Sequence, residues 1–226
     1  MGSSTHGEHL TQITRFGALN AYLVREDDGF TLVDTLIRGS AGRLMAAAAG
    51  VGAPIRRIVL THAHADHIGS LDALVAELPG VEVLAGAREA RLMAGDLAPE
   101  PGEAPVRSAA FPRVRVRPTS TLVPGDRVGS LTVYAAPGHS PGQIALLDER
   151  DGTLIAGDAT LGGVATSGHP RLPFPFPALA SWHRPTALAS ARSLRDLAPR
   201  RLATGHGPVV TSPGDAMDRA LAAASA

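Results

Sequence analysis

Six residues of this chain, His62-Ala63-His64-Ala65-Asp66-His67, gather three imidazoles and a carboxylate directly behind the apolar run Ile58-Val59-Leu60. Nitrogen and carboxylate donors without thiolate suit zinc, iron or manganese. Ile55 to Thr61 reads as a buried strand. Beyond its end the chain can turn so that His62 and His64, two residues apart, point the same way toward one ion. Asp66 and His67 fall where a helix should begin, because Ile68, Leu71, Leu74, Val75 and Leu78 recur at helical spacing, and from there they can face a neighbouring ion. One loop therefore offers ligands to two adjacent metals. A helix cap would account for Asp66 alone and calls for no histidine.

The elements that must position this loop come in two strand-rich batches. Strands are expected at Gln12 to Phe16, Ala21 to Arg25 and Phe30 to Asp34, the last two joined through an Asp28-Gly29 turn. Ser40 reads as the cap of a helix over Ala41 to Ala49, which Gly50, Gly52 and Pro54 stop before the strand that carries the histidines. A helix over His67 to Leu78, a strand over Val81 to Leu84 and a short helix over Ala87 to Ala94 follow. Pro99, Pro101, Pro105 and Pro112 make Ala98 to Pro112 an irregular surface loop. Strands then resume at Val114 to Arg117, Thr121 to Val123, Leu131 to Ala135, Ile144 to Leu147 and Leu154 to Ala156. A second irregular stretch, Pro170 to Pro177, precedes a helix over Thr186 to Leu197, a strand over Arg201 to Thr204 and a closing helix from Pro213. Such an order predicts a mixed α/β fold of the α+β kind, with sheets packed together and helices outside.

Composition sets the bounds. At 226 residues with no long linker, the simplest organisation is a single domain over 1–226, with a polar, disordered leader over residues 1–10 that keeps His6 and His9 out of the site. Acidic and basic residues balance at 21 each, so no electrostatic grip on nucleic acid or membrane is expected, and a small neutral substrate fits better. There is no cysteine and no lysine, which excludes disulfides, thiolate ligands and cysteine or lysine nucleophiles. Neither an export signal nor a membrane-length apolar run is found, and a cytoplasmic location is expected.

His-x-His-x-Asp-His at the end of a strand resembles the signature of the metallo-β-lactamase superfamily. Three further stretches fit the resemblance in order and spacing over about 145 residues: Pro137-Gly138-His139-Ser140-Pro141-Gly142, Ala156-Gly157-Asp158-Ala159 and Thr204-Gly205-His206-Gly207-Pro208. The resemblance implies a four-layer αββα sandwich. It also implies two divalent metal ions, zinc first with iron or manganese as alternatives. His62, His64 and His139 would hold one, Asp66, His67 and His206 the other, and Asp158 would bridge them. A hydroxide shared by the ions would attack a polarised carbonyl, with Asp66 as the catalytic residue that orients it and passes a proton to the leaving group.

Within the superfamily, the bridging aspartate and the missing export signal point away from true β-lactamases. The absence of lysine departs from the glutathione-thioester hydrolases, and the neutral charge from the nucleases. The lactonase branch is nearest in size and in the Pro-Gly-His-Ser-Pro-Gly-Gln stretch, but its substrate-contacting tyrosine is replaced by Leu161. Phe174 and Phe176, flanked by prolines, are candidates for an apolar substrate wall beside Leu161. The expected activity is hydrolysis of a small ester, lactone or thioester by a dinuclear, lactonase-like or glyoxalase II-like enzyme, as monomer or homodimer. The alternatives are a mononuclear iron persulfide dioxygenase using His62, His139 and Asp158, and a non-catalytic metal- or ligand-binding member.

Overall fold

A computed structural model describes residues 2–106, 111–160 and 181–225. The chain forms two compact units, Met1–Leu97 with Arg107–Leu122, and Ala98–Val106 with Val123–Ala226.

The first unit is built on a seven-stranded mixed sheet in the order β1 (Gly2–His6), β2 (Leu10–Arg15), β3 (Leu19–Glu26), β4 (Gly29–Val33), β5 (Ile55–Leu60), β6 (Glu82–Gly86) and β7 (Ser120–Leu122). β1 to β4 form an antiparallel meander, whereas β4, β5, β6 and β7 run parallel. Parallel strands need crossovers, and here helices supply them: α1 (Ala41–Gly50) between β4 and β5, then α2 (Ala65–Ile68) and α3 (Leu71–Glu77) between β5 and β6. A fourth helix, α4 (Ala87–Met93), follows β6. All five residues of β4 are buried, as a strand covered on both faces requires. Phe30, Leu32, Ile58, Leu60, Leu44, Ile68 and Leu71 fill the core around it.

Four expectations are corrected in this unit. Residues 1–10 are not a disordered leader: Gly2–His6 is an edge strand paired with β2 from Gly2↔Thr14 to His6↔Leu10, although its side chains are largely exposed. Backbone pairing holds it where the polar sequence offers no apolar face. The helix over His67 to Leu78 is two helices broken at Gly69 and Ser70. Gly69 presses on the backbone of Ile37 and Arg38, where an added Cβ would lie 2.5 Å from Arg38 N, and Ser70 Oγ donates to Ile37 O at 2.7 Å. Ser40 sits at the N-terminus of α1, but its hydroxyl donates to Ile37 O rather than capping the helix. Val114 to Arg117, whose alternation reads as a strand, joins no ladder. Instead the Asp72 carboxylate accepts the backbone N–H groups of Arg115 and Val116, both at 2.9 Å.

The second unit carries a six-stranded mixed sheet in the order β13 (Val210–Thr211), β12 (Arg201–Thr204), β11 (Thr153–Gly157), β10 (Ile144–Asp148), β9 (Leu131–Ala135) and β8 (Arg127–Val128). β11 and β12 are parallel and every other pair is antiparallel. Two helices, α5 (Arg184–Asp196) and α6 (Gly214–Ser225), contribute Leu194 and Met217 to a core with Ala136, Ala145, Leu154, Ala156 and Leu202. Asp151 ties the start of β11 to β12 through Arg201 at 2.7 Å. Burial pushes the Asp151 carboxyl up, but hydrogen bonds from Thr153 and Arg201 outweigh it and leave it below its ordinary value.

The expected mixed α/β class is therefore found, as two mixed sheets with helices. Among the described residues no helix is long and apolar enough to cross a membrane.

Candidate metal centre

In the first unit, β4, β5 and β6 are adjacent and parallel, so the segments after them leave the sheet side by side at one edge. Loops beyond the carboxyl ends of parallel strands are where such sheets place binding residues. After β5 comes the loop with His62 and His64, leading into α2 with Asp66 and His67. Asp34 follows β4 on one flank, and Glu89 follows β6 on the other.

Asp34 organises this loop. It is 3% exposed and left-handed at φ 62°, a conformation tolerated best by short polar residues that can bond locally. One carboxylate oxygen accepts Thr61 N–H at 2.8 Å, and the other accepts the Thr61 hydroxyl at 2.8 Å and His67 Nδ1–H at 2.7 Å. A carboxylate only accepts, so His67 carries its proton on Nδ1 and, in the neutral ring, presents the lone pair of Nε2. With its proton given to Asp34, the Thr61 oxygen acts as acceptor toward His62 Nδ1 at 3.1 Å, which sets His62 in the same tautomer. A carboxylate behind two histidines in this way is how metal-ligating imidazoles are oriented and made more basic.

The remaining contacts fix the loop as a body. His67 O accepts from Thr35 N at 2.6 Å and Thr35 Oγ1 at 2.9 Å. Ala63 N–H, between the first two histidines, donates to the fully buried Glu89 carboxylate at 2.8 Å. The rings of His62 and His64 meet edge to face at 4.7 Å between centroids, and those of His62 and His67 lie 4.0 Å apart. Asp66 Oδ2 stands 3.9 Å from His67 Nε2, with its side chain 34% exposed. His62, His64 and His67 are buried, leaving Asp66 as the member of the group open to solvent.

In the second unit β9 and β11 run the same way with β10 between them, and β12 is parallel to β11. His139, Asp158 and His206 follow β9, β11 and β12, so all three leave one edge of this sheet. Asp158 Oδ2 lies 3.4 Å from His139 Nε2 and 3.2 Å from His206 Nε2, one carboxylate oxygen between two imidazoles. Gly205 N–H donates to Gly157 O at 2.8 Å, and Gln143 Nε2 to Ala156 O at 3.1 Å, which hold the Asp158 turn from both sides. Gly138 lies at φ 133°, packed so closely on α5 that a Cβ would sit 2.2 Å from Ala187 N. His183, kept out of the ligand set on sequence grounds, occupies the N-terminal boundary of α5 and its Nδ1 pairs with Thr186 Oγ1 at 2.7 Å.

The structure thus gathers four of the expected ligands, His62, His64, Asp66 and His67, at one sheet edge and three, His139, Asp158 and His206, at the other. Nitrogen and carboxylate donors with ring tautomers set from behind fit a divalent transition metal. Leu161, Phe174 and Phe176 lie outside the described residues. Asp34 and Glu89 carry no recognisable motif. Their signal is positional, an acid just past the end of a strand that neighbours the histidine strand.

The family model described as Metallo-beta-lactamase superfamily matches residues 14–206, and the chain belongs to that superfamily. It is 40% identical over 224 residues to the uncharacterized protein YobT of Bacillus subtilis (strain 168), covering 96% of both chains. It is 30% identical over 220 residues to YflN of the same organism, named as a probable metallo-hydrolase, covering 85% of this chain and 81% of that one. Among solved structures, TTHA1623 in a di-iron-bound form is 28% identical with a TM-score of 0.67, over 90% of this chain and 94% of that one.

Proposed function

We propose that the chain is a metal-dependent hydrolase whose two ligand sets are halves of one dinuclear centre. His62, His64 and His139 would hold one ion and Asp66, His67 and His206 the other, with Asp158 serving both. The observation that carries this reading is the Asp34 carboxylate behind His62 and His67, an investment in ring orientation that a merely structural histidine cluster has no use for. Asp158 supports it, since one oxygen near-equidistant from two imidazoles suits a carboxylate shared by two ions. Zinc is the first candidate. The di-iron form of TTHA1623 makes iron the second.

Two bound divalent cations would lower the pKa of a water enough for hydroxide to be present near neutral pH and would polarise a carbonyl oxygen. The chain's own residues do the rest. His62 and His67, locked through Nδ1, keep their Nε2 atoms in one orientation throughout the reaction. Asp66, the solvent-open member, orients the attacking water and carries its proton to the leaving alcohol or thiol. No protein nucleophile is used, in keeping with a chain that has neither cysteine nor lysine. The substrate class is a small ester, lactone or thioester, nearest in kind to those of lactonase-like and glyoxalase II-like enzymes.

The test is elemental mass spectrometry on protein purified without added metal, beside His67→Ala. About two zinc or iron ions per chain, falling on mutation, together with ester or lactone hydrolysis that a chelator abolishes, is the expected result. Hydrolysis that survives complete removal of metal overturns the reading. A single iron unaffected by the mutation points instead to the mononuclear dioxygenase chemistry.

A further inference from the structure

We infer that Phe111 is the specificity-determining wall of the site, receiving the apolar acyl portion of the substrate beside His64. This rests on the hydrolase reading only in taking the ground beside His64 as the place where substrate lies.

Three observations lead there. The Phe111 ring lies 5.1 Å from that of His64, centroid to centroid, with a 48° tilt, so an aromatic side chain packs directly on a ligand histidine. It is partly buried, whereas His64 is 8% exposed, so Phe111 shields one side of the imidazole and leaves part of its own apolar surface accessible to an incoming molecule. Lastly, the segment that follows is held tightly for irregular backbone. Asp72 takes the N–H groups of Arg115 and Val116, Val114 is buried, and Thr119 bonds Val83 O through both its N–H at 2.7 Å and its hydroxyl at 3.0 Å.

A partly exposed aromatic ring just before a tethered segment is a poor way to fill a core and a good way to offer a fixed apolar surface. Its chemistry selects an alkyl or aryl acyl chain over a charged or sugar-like one. Each methylene laid against it should strengthen binding by up to about fourfold.

The experiment is calorimetric titration of the zinc-loaded protein with straight-chain carboxylates from acetate to octanoate, the acid products of such esters. Phe111→Ala and Phe111→Leu are titrated in parallel, and metal content is measured for each. The expected result is affinity that climbs with chain length in the wild-type protein, a nearly flat series for Phe111→Ala, an intermediate slope for Phe111→Leu and unchanged metal content. A wild-type series without slope, or binding of no member at all, overturns the proposal. So does a Phe111→Ala protein that keeps the slope but loses metal, because Phe111 is then only a cover for His64. If Phe111→Ala does not fold, the Leu variant decides, and a slope equal to wild type counts against the proposal. Failure of the hydrolase reading is seen separately, as a chain-length slope in binding with no turnover of the matching esters.

Discussion

Asp34 Oδ2 accepts the Nδ1 proton of His67 at 2.7 Å across a separation of 33 residues. The pairing follows from the parallel register Val33↔Val59, which brings the end of β4 beside the end of β5. Asp34→Asn should keep the fold while lowering metal affinity about 10- to 100-fold, the usual effect of losing a carboxylate behind a ligand histidine. Competition with a chromophoric chelator measures it. An affinity equal to wild type would remove Asp34 from the metal centre. Asp34→Ala should also cost about 1–3 kcal/mol, because the Thr61 N–H and hydroxyl lose their buried acceptor.

Glu89 holds the peptide between His62 and His64 through Ala63 N–H. Glu89→Leu is expected to lose about 1–3 kcal/mol in urea unfolding, since that buried donor then has no acceptor. Glu89→Gln retains a carbonyl oxygen and should recover most of the loss. Equal destabilisation by both variants would show that the charge of Glu89, not its bond to Ala63, carries the effect.

Gly138→Ala places a methyl group 2.2 Å from Ala187 N and 2.3 Å from its Cα, at a φ of 133° that side chains rarely adopt. Neither backbone can yield without moving α5. The expected cost is about 3 kcal/mol or more, from overpacking and backbone strain together. A fall in melting temperature of under about 2 °C would mean that α5 shifts freely, contrary to the packing described.

The Asp218 carboxyl, hydrogen-bonded by Arg195 at 2.8 Å between α6 and α5, is held below its ordinary value of 3.8 by that guanidinium. A carboxylate with a lowered folded pKa contributes stability above its unfolded value, and that contribution disappears as pH falls through the folded value. Asp218→Asn should therefore lower the melting temperature slightly at pH 7, and the difference should close below pH 3.8. Melting curves from pH 2 to pH 8 test this. A difference that persists at pH 2 would assign the effect to packing rather than charge.

The ligand motif is legible because its donors are neighbours in sequence, and the strand before it is legible because it is apolar throughout. His139, Asp158 and His206 are single residues in glycine-rich turns, readable only through the order and spacing of the whole set. Asp34 is silent, since its role arises from β4 lying beside β5, a long-range pairing that no motif around Asp34 marks. Val114 to Arg117 misleads for a related reason. Its alternation satisfies a strand, but the backbone donors of Arg115 and Val116 find the Asp72 carboxylate instead of a ladder. The leader misleads in the opposite sense, because edge pairing to β2 needs no apolar side chains.

Asp158 and His206 stand 48 positions apart in the chain, yet each follows one of two adjacent parallel strands whose ends are tied by the Gly205 N–H to Gly157 O bond. Their mutual placement is thus inherited from a backbone ladder, so a substitution elsewhere reaches it only by sliding β12 along β11.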